Sequence, residues 1–207
     1  DLHKAIRRQR QMCIRDRTST EEEIVIPNDV TSICGFAFWE NHMTSVVIPD
    51  SVTSIGSYAF SDCGNLKNIT IPDSVTFFGE SVFTNTAWVT YRYDENPLLI
   101  INHILVDVDF DQCSGKVTIP DGVTSIAEGA FENCSQITEI AIPDSVNSIG
   151  SSAFFNCATL KEIAIPEGVT SIDAVTFYGC YSLTSISIPK SVTFIGETVF
   201  CNCMNLS

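Results

Sequence analysis

The chain has 207 residues, 25 of them acidic and 11 basic, for a formal net charge of −14 at pH 7. That excess repels nucleic-acid phosphates and anionic lipid, so nucleic acid is not an expected partner, and any charged partner is expected to be basic or reached through divalent cations. No apolar run approaches the roughly 18 to 20 residues of a spanning helix, which argues against direct membrane insertion of this segment.

Residues 1–17 stand apart. They hold six basic side chains (Lys4, Arg7, Arg8, Arg10, Arg15, Arg17) and two acidic ones (Asp1, Asp16), leaving five basic and 23 acidic on the remainder, a formal −18. A basic arm on an acidic body suits a nucleic-acid or membrane tether. The run Met12-Cys13-Ile14-Arg15-Asp16-Arg17 instead looks like the translation of a sequencing adaptor and fits no later pattern. Residues 1–17 are therefore set aside as extraneous, and 18–207 is read as the folded region.

From about Ile24 the dipeptide Ile-Pro recurs seven times, at Pro27, Pro49, Pro72, Pro120, Pro143, Pro166 and Pro189; four of the intervals are 23 residues, one is 22 and one is 48. A period that strict means a solenoid of stacked rungs, each unable to bury its own apolar face alone. Before each proline the residues alternate, as in Leu66-Lys67-Asn68-Ile69-Thr70-Ile71-Pro72, which predicts a short strand with Ile69 and Ile71 inward and Asn68 and Thr70 outward. Proline lacks the donor to continue the ladder and ends the strand. Valine stands three residues after every proline, isoleucine or phenylalanine six after, and phenylalanine eleven after (Phe38, Phe60, Phe83, Phe131, Phe154, Phe177, Phe200). These columns are the expected core. A second short extended piece is predicted around Val52-Thr53-Ser54-Ile55, then a tight turn or single helical turn through Ala59-Phe60. Gly56, Gly79, Gly150 and Gly196 share a column seven after the proline, where a glycine-tolerant bend is expected.

The 48-residue interval contains a rewritten rung, about 87–116. Trp88-Val89-Thr90-Tyr91-Arg92-Tyr93 is followed by the turn signal Asp94-Glu95-Asn96-Pro97, and Leu98 to Val108 reads as a hairpin turning at Asn102-His103. Asp107, Asp109 and Asp111 alternate like the start of a calcium loop, but Gln112 and Thr118 occupy the positions that need glycine and glutamate, so a solvated face is the better reading. Asn68-Ile69-Thr70, Asn133-Cys134-Ser135 and Asn205-Leu206-Ser207 fit the glycosylation acceptor pattern. Five of the nine cysteines (Cys63, Cys134, Cys157, Cys180, Cys203) share a column fourteen after the proline, with Asn41 and Thr86 in the other copies. Parallel side chains one rung apart suit a disulfide poorly, and buried free thiols acting as small apolar fillers are expected. Cys34 and Cys113 lie off that ladder and are reactive candidates if exposed. No metal ligation is expected, since no C-x-x-C pair occurs. The last residues, Cys203-Met204-Asn205-Leu206-Ser207, stop where another strand is expected to start, so the chain reads as a piece of a longer protein truncated at its C-terminus.

The string L-x-x-I-x-I-P-[DE]-[SG]-V-T-S-I-G-x-x-A-F-x-x-C, carried by Leu160 to Cys180 and its sister copies, resembles the BspA-like subclass of leucine-rich repeats. The resemblance covers Ile24 to Ser207 apart from the interruption. It implies a right-handed leucine-rich-repeat solenoid of short parallel β-strands with tight turns, mostly β with little α-helix. It also implies a secreted or surface-attached protein engaged in adhesion to host, matrix or other cell-surface proteins.

Catalysis is not expected: only His42 and His103 lie outside the arm, and neither sits in a recognisable nucleophile-base pattern. No cofactor is expected either. The leading expectation is a protein-binding module using the outward strand positions, namely Ser45 and Val47, Asn68 and Thr70, Glu139 and Ala141, Glu162 and Ala164, Ser185 and Ser187. The aromatic run Trp88, Tyr91, Arg92, Tyr93 is a second candidate, because exposed aromatics beside an arginine are what binding hot spots use. Two alternatives stand beside these: a targeting or scaffold domain of a larger enzyme, and a carbohydrate- or ice-binding solenoid, although the outer columns lack the regular threonine ladder that ice demands.

Overall fold

In the computed structural model the described residues are Gln11–Met12 and 22–207; the rest of the basic arm and its adaptor-like run lies outside them. The chain divides into two compact units, Asp1–Glu95 and Asn96–Ser207. Each is a parallel β-solenoid.

The first unit contains β1 (Gln11–Met12), β2 (Glu23–Val25), β3 (Ser32–Ile33), β4 (Ser45–Val47), β5 (Ser54–Ile55), β6 (Asn68–Thr70), β7 (Phe77–Phe78) and α1 (Ala87–Glu95). Two parallel sheets result, β2-β4-β6 and β1-β3-β5-β7. The second unit begins with the hairpin β8 (Leu98–Ile101) and β9 (Ile104–Val108). It continues through β10 (Gly115–Thr118), β11 (Ser125–Ile126), β12 (Ile137–Ala141), β13 (Ser148–Ile149), β14 (Glu162–Ala164), β15 (Ser171–Ile172), β16 (Ser185–Ser187) and β17 (Phe194–Ile195). Its long strands pair in the order β10-β12-β14-β16.

Each part of the repeat has a physical task. The isoleucine before the proline makes the last ladder bond, as Ile48 N–H does to the Thr70 carbonyl at 3.2 Å and Ile165 N–H to Ser187 at 2.9 Å. The proline carbonyl then accepts from the valine three residues on, in all seven copies, closing a tight turn. Where serine stands between them, its hydroxyl ties the turn to the preceding rung: Ser51 Oγ donates to the Val30 carbonyl, Ser74 to Val52, Ser145 to Val123 and Ser191 to Val169, at 2.6 to 2.8 Å.

The segment around the phenylalanine is a hydrogen-bonded ladder of its own. N–H groups nine, eleven and thirteen after the proline donate to the next rung, as Ser152 does to Ala174, Phe154 to Thr176 and Asn156 to Tyr178. Those between them donate three residues back within their own rung, as Ala153 does to Gly150, Phe155 to Ser152 and Cys157 to Phe154. To turn every second amide outward, the backbone takes a positive φ at positions nine and thirteen in every described rung. Asparagine or glycine at position thirteen (Asn85, Asn133, Asn156, Gly179, Asn202) suits that conformation; Phe36, Tyr58 and Val175 at position nine adopt it against their preference.

The expected core columns are buried except in the last rung, where Val192 and Phe200 are half-buried and Ile195 is exposed. Val52, Val75, Val146 and Val169 are wholly inaccessible, as are Phe60, Phe131, Phe154 and Phe177. Their rings stack nearly parallel, at 5.2 Å for Phe38 on Phe60 in the first unit and 5.2 Å for Phe154 on Phe177 in the second.

The glycine column differs from the expectation. None of Gly56, Gly79, Gly150 and Gly196 has a positive φ. A Cβ on each would instead lie 2.4 to 2.7 Å from a backbone nitrogen of the preceding rung (Gly35, Ser57, Glu128 and Ala174 respectively). Glycine is there because two coils touch, not because the chain bends.

The rewritten rung departs further. The hairpin is as expected, with Asn102 and His103 at φ 50 and 64, the twist of a two-residue turn with both central residues left-handed. Its β9 pairs in parallel with β11, taking the place a two-residue strand holds elsewhere. Ahead of it, the aromatic run forms α1, and Asp94-Glu95, expected in a turn, are the last residues of that helix. Thr86 starts that helix: its Oγ1 accepts the Val89 N–H at 3.1 Å, an N-cap bond that the cysteine of the sister rungs makes poorly. The turn itself comes one step later, where Asn96 Oδ1 accepts the Leu98 N–H.

Candidate protein-binding surface

In the first unit the outward side chains of the long strands align in two rows, Glu23-Ser45-Asn68 and Val25-Val47-Thr70. Asn68 and Thr70 are exposed, while Ile69 and Ile71 are half-buried. In the second unit the rows are Lys116-Glu139-Glu162-Ser185 and, behind them, Thr118-Ala141 and Ala164-Ser187. Glu162, Ser185 and Ser187 are exposed and Glu139 is half-buried, held by an ion pair with Lys116. That pair is open to solvent on both sides, so its contribution to stability is at most about 1 kcal/mol. Glu139 and Glu162 stand directly side by side. Like charges so placed weaken a sheet, and nothing in the fold requires them.

The helical candidate splits. Trp88 is buried against Phe83, with ring centroids 4.9 Å apart, and it covers that end of the phenylalanine stack. The Arg92 guanidinium lies over the Trp88 ring, 4.3 Å from its centroid. Tyr91 is 66% exposed and Tyr93 half-buried. Trp88 thus serves packing, while Tyr91 and Arg92 remain accessible.

Sequence reading missed a second aromatic cluster, at turn positions nine and twelve of the first unit. Phe36 and Tyr58 stack at 4.9 Å, and Trp39 meets Phe36 edge-on at 6.2 Å. Trp39 Nε1–H donates to Asp62 Oδ2 at 2.8 Å, and Asn85 Nδ2 to Asp62 Oδ1 at 2.7 Å. Those two donors hold the Asp62 carboxyl below its ordinary pKa, Asn85 contributing most. The Tyr58 hydroxyl donates to Glu80. The available signal was the spacing of Phe36, Trp39 and Tyr58, all off the core columns.

Of the three aspartates, Asp107 lies half-buried within β9, Asp109 is half-buried in the turn that follows and Asp111 is exposed. Asp109 accepts from the Asp111 N–H and from Gln112, closing the turn after β9. Among the described residues no group of three or more histidine, cysteine or acidic side chains is placed to hold a metal.

A family model described as BspA type Leucine rich repeat region matches this chain in six copies, over residues 16–105 and 105–207. The chain belongs to that family. Solved structures similar to it include a T. pallidum leucine-rich repeat protein (26% identity, 91% of this chain and 79% of that one, TM-score 0.47). A leucine-rich cell surface protein from Faecalibacterium prausnitzii is similar as well (25% identity, 92% and 87%, TM-score 0.44). So is the pneumococcal vaccine antigen PcpA (17% identity, TM-score 0.49), of which this chain spans 58% while 84% of its own length is covered. None of the curated proteins matches.

In this BspA-type repeat the cysteine column is a ladder of free thiols. Four of its sulfurs donate to the phenylalanine carbonyl of the preceding rung: Cys63 to Phe38, Cys157 to Phe131, Cys180 to Phe154 and Cys203 to Phe177, at 3.0 to 3.3 Å. Burial raises the Cys63 thiol to about 11 and Cys180 to about 12, so both are neutral donors at physiological pH. Of the off-ladder pair, Cys113 is buried with its thiol pushed to about 11, and Cys34 is disulfide-bonded. Cys201 is exposed. A thiol reagent at neutral pH is therefore expected to label Cys201 at once and Cys63, Cys134, Cys157 and Cys180 only on unfolding; a burst of four or more thiols contradicts this. These raised values also fix a pH dependence. The stability held by the neutral thiols is complete below about pH 9, and it drains away as pH rises through 11 to 12.

Proposed function

We propose that this chain is a non-catalytic protein-binding module of a secreted or cell-surface protein, with the outward strand rows as its contact surface and adhesion as its role. The observation that carries the reading is the outward rows of each unit taken by itself: Thr70 in the first and Ala164 and Ser187 in the second are small and exposed, and in the second Glu139 stands beside Glu162 at a cost to the sheet. Small side chains let a partner approach closely, and an acidic pair in which Lys116 engages Glu139 alone favours a basic one. Membership in the BspA-type family supports the surface setting, and repeat solenoids use such extended faces for binding.

The test is immobilised capture of purified matrix and serum proteins by the full chain, compared with two charge-conserving groups of variants. Thr70→Gln with Ala164→Gln fills the strand rows with larger side chains, and Tyr91→Ala alters the exposed helix position. At least a tenfold loss of affinity is expected for the strand-row variant, with the circular dichroism spectrum unchanged. Loss through Tyr91→Ala alone moves the site to α1; capture unaffected by either variant removes both surfaces.

A further inference from the structure

The turn columns carry side chains that the fold does not ask for. Position nine must take a positive φ in every described rung, and it does so with Ser81, Gly129, Ser152, Val175 and Thr198. In the first unit the same position holds Phe36 (φ 59) and Tyr58 (φ 58). Aromatic side chains are poor choices for that backbone, and Phe36 is 49% exposed, so it does not repay the choice by filling the core. Trp39, three residues on, meets Phe36 edge-on and binds Asp62 through its indole nitrogen.

Charge decides what such a surface takes. Between residues 22 and 95 there are ten acidic side chains and two basic ones, Lys67 and Arg92. Arg92 lies over Trp88. Around the aromatic cluster stand Glu40, exposed on the same turn, Asp62 and Glu80. The side chains bonded to Asp62 (Asn85, Trp39, Ser61) are all neutral, so its negative charge is oriented by them but not cancelled. Asp62 Oδ1, which accepts the Asn85 bond, and Glu80 Oε1, which accepts from Tyr58, each retain a second lone pair, whereas Asp62 Oδ2 accepts from both Trp39 and Ser61. Aromatic faces beside ionised carboxylates are complementary to a planar cation that both stacks and forks into a carboxylate, which a guanidinium does and an ammonium does less well.

We propose that Phe36, Trp39 and Tyr58, with Asp62 and Glu80, form a site for an arginine side chain presented by a basic segment of a partner protein. This extends the protein-binding reading to a second surface and rests on that reading. The Glu139–Glu162 pair of the strand rows and the aromatic turn cluster favour the same class of partner, a basic one.

The test uses the full chain, isotopically labelled, whose two tryptophans give two indole N–H resonances. A hexapeptide of alternating arginine and glycine is titrated in, with its lysine counterpart and a neutral glucan oligosaccharide as comparisons. The Trp39 resonance, assigned with Trp39→Phe, is expected to shift saturably with the arginine peptide and more weakly with the lysine one. The double variant Phe36→Ser, Tyr58→Ser keeps the net charge and installs the residue that Ser81 and Ser152 already carry in this column. It is expected to bind the arginine peptide at least tenfold more weakly with an unchanged circular dichroism spectrum. Equal binding by that variant reduces the effect to diffuse charge attraction and overturns the site. A shift produced by the oligosaccharide in place of the arginine peptide overturns it too. If strand-row variants lose the captured protein while the serine variant does not, the strand-row reading survives and this one falls.

Discussion

Replacing Phe154 by alanine is expected to lower the unfolding free energy by about 3 to 5 kcal/mol. Phe154 is wholly buried, with Phe131 on one side at 5.4 Å and Phe177 on the other at 5.2 Å. Removing the ring deletes its own buried area and leaves its two neighbours facing a void that the stacked backbone cannot close. The backbone cannot close it because the Phe154 N–H is fixed to the Thr176 carbonyl and Phe131 to Ala153. Phe200, only half-buried and stacked on Phe177 alone, provides the comparison: its truncation should cost distinctly less. Chemical denaturation of the full chain checks both, and equal small losses for the two positions would contradict a phenylalanine-centred core.

Gly79→Ala is expected to cost about 1 to 3 kcal/mol although it adds one methyl group. The new Cβ would lie 2.4 Å from the Ser57 nitrogen and 2.6 Å from Ser57 Oγ. Relief requires the two coils to part, and Ser57 Oγ also accepts the Glu80 N–H, so that bond weakens as well. Gly64 separates this mechanism from a general intolerance of alanine. Nothing lies within 4 Å of its Cβ position, so Gly64→Ala should be neutral or stabilise by up to about 1 kcal/mol through the unfolded chain. Thermal melts that rank the two variants the other way would show that contact between coils is not what glycine provides.

The core was legible because it is written as columns: any residue type fixed at a constant distance from the proline, as Val52 and Phe60 are, has one environment and one explanation. The hairpin was legible from Asn102-His103 between two apolar runs, and the free thiols from the parallel geometry of one column. What the sequence concealed has specific causes. The left-handed residues at position nine are imposed by bonds to the next rung, so Phe36 and Val175 adopt them regardless of preference, whereas the asparagines of position thirteen did carry a usable signal. α1 was concealed because Trp88 to Tyr93 favours strands by composition, and the helix owes its existence to the Thr86 cap and to the exposed end of the Phe83 ring. The glycines were noticed for the wrong reason, since spacing within one repeat cannot reveal how near the previous repeat comes. Of the candidate site, the outward strand positions could be read from alternation, but the burial of Trp88 and the clustering of Phe36 with Tyr58 depend on stacking between rungs.

Backbone amides in the turn answer alternately to their own coil and to the neighbouring one, so almost none of them relies on a side chain for its hydrogen bond. A lineage carrying this scaffold is thereby free to repaint positions nine, twelve and thirteen without renegotiating its architecture. Whole periods can be duplicated or exchanged in frame, each arriving with its peptide groups already provided for. Specificity in such proteins is then expected to evolve by swapping decoration on an indifferent frame.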